Sequence, residues 1–95
     1  SFVRGKHNYK FWGKNRIINE PKFRNISSRN IQTALKEIPE ATYLHNFHAL
    51  AEKNWETIAA PKGQKKNKKF VDFLLRKGYE TGLIYEKLKE LEVES

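Results

Sequence analysis

The chain has 95 residues, of which 38% are apolar, 13% aromatic and 32% charged, and its formal net charge is +8. That apolar content excludes a disordered tail, while a mean hydropathy of −0.82 points to a thin, well-solvated structure around one modest core. Cysteine is absent, which removes disulfides and thiolate metal sites, and no window approaches the roughly eighteen apolar residues of a membrane span, so a soluble, cytoplasmic protein is expected.

Phe2 to Tyr9 reads as a short basic helix that ends between Lys10 and Gly13. Ser1-Phe2-Val3-Arg4 is no signal peptide, and helix-like first residues without an initiator Met suggest a fragment of a longer protein. The next helix opens at Lys14 and runs towards Arg24 with Ile17 and Ile18 inward. Pro21 interrupts it, because an interior proline forfeits a hydrogen bond and clashes one turn back, so a kink or early stop is expected there. Ser28 to Glu37 forms a third helix, with Ile31, Ala34, Leu35 and Ile38 at helical spacing and Ser28 placed to cap it.

Pro39 closes that helix and can open the next. Glu40 to Ile58 is the longest element, its stripe running through Tyr43, Leu44, Phe47, Leu50, Ala51, Trp55 and Ile58. Ala59 to Gly63 breaks the pattern, a helix from about Gln64 buries Phe70, Val71, Phe73 and Leu74, and Thr81 to about Glu92 closes the chain. Gly5, Gly13, Gly63, Gly78 and Gly82 read as breaks and turns. No strand-like alternation competes, so the expected fold is all-α with six helices in two groups of three.

The two groups repeat one another. A shift of fifty-three positions, without a gap, pairs Ile17 with Phe70, Ile18 with Val71, Ile31 with Ile84, Leu35 with Leu88 and Ile38 with Leu91. Asn25 then meets Gly78, the two residue types best suited to a left-handed helix end. Ile26 meets Tyr79, each expected to fold back onto the turn before it, and Ser28 meets Thr81. Residues 1–38 are expected to form the first three-helix repeat, and residues 39–95 the second, with an acidic C-terminal tail.

Charge is unevenly spread. Ser1 to Lys36 carries nine basic residues against Glu20, Lys62 to Lys77 seven against Asp72, and Glu80 to Ser95 five Glu against two Lys. Such a surface favours polyanions and acidic proteins without naming one. Arg4, Arg16, Arg24 and Arg29 are the better recognition candidates in the first unit because a guanidinium pairs with carboxylate or phosphate through two parallel bonds. Lys65, Lys66, Lys68 and Lys69, with Lys62, form a run that either grips phosphates or simply stays solvated. Tyr9, Phe11 and Trp12 could stack bases, but such a cluster more often closes a small core, and Trp55 belongs to the apolar stripe. His45 and His48 stand three apart on a helix, yet no further zinc ligands accompany them and His7 is remote, so no metal or cofactor is expected. No nucleophile motif, phosphate-cradling loop or carboxylate pair suggests catalysis.

Phe11-Trp12-Gly13-Lys14-Asn15-Arg16-Ile17-Ile18 and Phe73-Leu74-Leu75-Arg76-Lys77-Gly78-Tyr79, joined by the link Ala49 to Trp55, resemble the bacterial RecX family in motif order and spacing, over essentially Phe2 to Leu91. Pro21, where that family favours Leu, and Asn25, where it has Gly, are the departures. The resemblance implies the second and third of the family's tandem three-helix repeats, in an elongated, curved array. It implies a monomeric regulator that binds the RecA filament, reaches single-stranded DNA through it, and modulates, most often inhibits, RecA. No catalytic residues transfer, and the partner-contacting candidates are Arg4, Arg16, Arg24, Arg29, Lys65, Lys66, Lys68, Lys69, Arg76 and Lys77. An independent nonspecific DNA-binding module and an adaptor for another acidic protein stand as alternatives.

Overall fold

A computed structural model describes residues 1–94. Among these, α1 spans Phe2–Lys10, α2 Lys14–Ile18, α3 Ser28–Leu35, α4 Glu40–Thr57, α5 Gln64–Lys77 and α6 Thr81–Glu94, with a 3₁₀ turn over Pro21–Phe23. The radius of gyration is 14.4 Å and the extents are 43 × 23 × 21 Å, against about 12 Å for a compact chain of this length. The six helices therefore form an elongated all-α array of tandem three-helix units.

Each boundary has a local cause. The Ser1 hydroxyl accepts from the Arg4 amide to open α1. The helix through Lys14 makes the expected early stop, ending at Ile18, and Pro21 starts the 3₁₀ turn, where its missing N–H costs nothing. Ser27, one residue before the expected cap, accepts from the Asn30 amide and opens α3, leaving Ser28 as its first helical residue. At the end of α5, Gly78 adopts φ 99°, and its amide and that of Tyr79 both donate to the Leu74 carbonyl. Asn25 is left-handed too, at φ 68°, so the repeat extends to backbone conformation.

Burial follows the repeat with two exceptions. Ile17, Leu35 and Ile38 are buried like Phe70, Leu88 and Leu91. Pro21, however, is exposed where Leu74 is fully buried, because the chain has left the helix before reaching it. Ile26 is 43% exposed where Tyr79 is 0%, so it does not fold back as expected. Gly5 and Gly82 lie inside α1 and α6 and are not breaks. One core cluster includes Val3, Ile17, Tyr43, Phe47, Trp55, Phe70, Ile84 and Leu91, with Phe73 only partly buried against it. α4 supplies its spine through Tyr43, Phe47, Ala51 and Trp55, every fourth residue, and α5 and α6 pack on it and on each other.

Candidate functional site

The two motif segments meet in space. The turn after α1 runs through Phe11, which is left-handed at φ 59°, and Gly13, which is extended; it docks on the turn between α5 and α6. Gly13 N–H donates to the Lys77 carbonyl at 2.7 Å and Asn15 N–H to the Gly78 carbonyl at 2.9 Å. A Cβ on Gly13 would stand 2.4 Å from the Gly78 carbonyl group, and one on Gly78 would stand 2.4 Å from the Arg16 Cβ. Each glycine therefore makes room for the other's backbone.

A buried polar network secures this joint from behind. His7, fully buried, sets its Nδ1 3.0 Å from the Trp12 carbonyl and accepts at Nε2 from the Asn46 amide at 3.1 Å. A carbonyl only accepts, so the proton sits on Nδ1. The Tyr79 hydroxyl donates to the Phe11 carbonyl at 2.8 Å. The Tyr43 hydroxyl donates to Glu80 and accepts from the Lys14 amide at 2.9 Å. Burial, then the bond to Glu80, pushes the Tyr43 hydroxyl well above the ordinary tyrosine range, and burial, then the Glu80 charge, does the same to Tyr79.

On the outside the joint is cationic. The Arg16 guanidinium lies 4.2 Å from the Trp12 ring centroid and donates to the Arg76 carbonyl at 3.1 Å. Lys6 and Lys10 stand 4.8 and 5.9 Å from the same ring, and Lys77 donates to the Lys10 carbonyl at 3.2 Å. Among the described residues, no ion pair engages Lys6, Lys10, Arg16 or Lys77. Trp12 is half-buried as a packing residue should be, but Tyr9 is 87% exposed, so it does not belong to a small core.

The ten candidate residues separate into groups. Arg16, Arg76 and Lys77 converge at the joint. Lys65 and Lys69 are exposed on α5, one turn apart. Lys66 lies 4.0 Å over the Trp55 ring, and Lys68 pairs with Asp72 at 2.8 Å, which holds its ammonium above the ordinary lysine range. Arg4, Arg24 and Arg29 are exposed, and among the described residues no hydrogen bond or ion pair engages their guanidinium groups. Lys6 and Lys10 complete the joint cluster although the candidate set omits them; their spacing of four on one helix, beside Trp12, was the available signal.

Elsewhere, Lys87 is buried between α4 and α6 and bonds Glu52 at 2.7 Å, with Glu90 at 3.7 Å; Lys87 keeps the Glu52 carboxyl below the usual carboxylate range. Among the described residues no three His, Cys, Asp or Glu converge to hold a metal, and no helix is long and apolar enough to cross a membrane.

In comparison with known proteins, the family described as RecX, third three-helix domain, matches residues 41–88, just over half of the chain. No curated protein and no solved structure matches.

Proposed function

The chain belongs to the RecX family, and from that premise we propose that it regulates the RecA recombinase. It binds the RecA filament on single-stranded DNA and lowers ATPase turnover and strand exchange in recombination, DNA repair and the SOS response. Residues 1–38 and 39–95 act as its two repeats. The observation that supports this beyond family membership is the cationic joint, where Arg16, Arg76 and Lys77, with Lys6 and Lys10, stand unneutralised across both repeats. An acidic groove that engages the joint contacts both repeats at once, and complementary charge there speeds association and fixes register. Lodged in the filament groove, the array obstructs entry of a second DNA and resists the subunit movements of ATP turnover.

Tyr9, fully presented beside the Trp12 cluster, favours a second reading, a nonspecific single-strand binder that stacks bases on aromatic rings between cations. Fluorescence anisotropy at one near-physiological salt, with RecA filaments on labelled single-stranded DNA beside the same DNA alone, separates the two. Preference for filaments is expected. Lys10→Glu with Arg76→Glu, whose side chains carry no hydrogen bond of the joint, should weaken filament binding at least tenfold, given about 1.5 kcal/mol or more for close charge pairs across an interface. Equal or tighter binding to bare DNA would sink the regulator reading.

A further inference from the structure

α5 and α6 each end in charges that oppose their own helix. The first turn of α5 holds no acid and begins a run of lysines, while the last turn of α6 holds no base and carries Glu92 and Glu94. Cations at a helix N-terminus and carboxylates at a C-terminus both oppose the macrodipole. These two ends lie together: Lys62 Nζ donates to the Glu92 carbonyl at 2.7 Å, the Asn67 amide donates to the Glu92 carboxylate at 3.3 Å, and Glu94 lines one cleft with Lys66 and Trp55. The chain's own carboxylates thus stand at the lysine run as phosphates would.

We infer that the acidic last turn of α6 is an internal counterion for the Lys62–Lys69 run, displaced when that run meets the phosphate backbone of a single-stranded nucleic acid. The inference rests on the reading that this run contacts polyanions. The tail makes the run's affinity conditional: a short or weakly charged anion does not outcompete tethered carboxylates, whereas a continuous phosphate chain does. Lys65 and Lys69, exposed on α5, offer the first contacts.

Glu92→Gln with Glu94→Gln removes the charge while keeping side-chain shape and the Lys62 contact to backbone. Affinity for labelled oligo-dT should rise about three- to tenfold at low salt, the scale of two exposed ion pairs, and the salt slope should steepen by about 0.7 per added phosphate contact. Glu37→Gln with Glu86→Gln removes equal charge from residues in no ion pair and should raise affinity less than about twofold. In a Lys65→Glu/Lys69→Glu background the gain should vanish. A gain no larger than the control's, or one that persists in that background, overturns the counterion role. Should Lys65→Glu/Lys69→Glu leave oligo-dT binding unchanged, the run is no polyanion surface and the inference falls with it; should that pair weaken binding while Glu92→Gln/Glu94→Gln does nothing, only the counterion role falls.

Discussion

At Gly13 a methyl group would meet the Gly78 carbonyl group at 2.4 Å, and both partners are backbone, so neither can rotate away. Gly13→Ala should therefore cost about 2–3 kcal/mol, as overpacking of a closed site does, measured as a shift in the urea midpoint. A change below about 0.5 kcal/mol, the level of an ordinary surface substitution, would mean the joint is looser than drawn. Behind that contact, Tyr43 and Tyr79 link stability to pH. Both hydroxyls are held above the ordinary value of 10.0, so the unfolded chain releases these protons first as pH rises. Stability is fully present below pH 10 and falls above it, by up to about 1.4 kcal/mol per pH unit for each tyrosine. Tyr43→Phe should remove one share of that slope in urea titrations between pH 10 and 11.5; a slope equal to the wild type's would show that Tyr43 is not protected.

Across the seam of α4 and α6, Lys87 is 3% exposed while Glu52 is largely in water, an asymmetry that makes the carboxylate more necessary than an exposed pair's would be. Glu52→Gln should cost about 1–2 kcal/mol, above the range of surface pairs, and Lys87→Met added to it should recover most of the loss by removing the charge left behind. A cycle in which the second change adds its own loss would contradict this account. Because Lys87 holds the Glu52 carboxyl low, the contribution is present above the unfolded carboxylate's value of 4.5 and fades as pH falls through the lower folded value. The sequence carried much at the scale of elements: the spacing of Tyr43, Phe47, Ala51 and Trp55 gave α4, and Pro21 gave the stop of α2. It did not carry the exposure of Ile26, since a turn's conformation repeats locally while its cover comes from whatever packs there. It also did not carry the joint cluster, because Lys10, Arg16 and Lys77 are joined only by the docking of turns far apart in the chain.

For the whole molecule, one core runs from Val3 to Leu91, but its weight is unequal. Residues 1–38 contribute Val3, Ile17, Phe23, Leu35 and Ile38 to the buried apolar set, while Tyr43, Phe47, Trp55, Phe70, Leu74, Tyr79, Ile84, Leu88 and Leu91 all come from the second half. The first half also has short helices, a proline-broken α2 and a turn with Ile26 in water, so isolated helices of that length should be marginal. Its order is borrowed through the joint, from the Gly13 and Asn15 hydrogen bonds and from His7 lodged against α4. Residues 39–95 keep a three-helix core near the roughly 60-residue size at which domains fold alone with little margin. That piece should give a cooperative thermal transition by circular dichroism, at a lower temperature than the whole chain, whereas residues 1–38 should show no transition. The matched segment 41–88 lies wholly inside the piece expected to fold. If residues 1–38 were helical alone, the joint would be a contact between two autonomous repeats, and Gly13→Ala would then loosen their relative orientation without unfolding either. If instead neither piece folds, the core is indivisible and a ligand on one repeat is felt in full by the other. The expected result lies between: a stable second repeat that organises the first, so that a partner gripping the cationic joint also stabilises the half that cannot stand by itself.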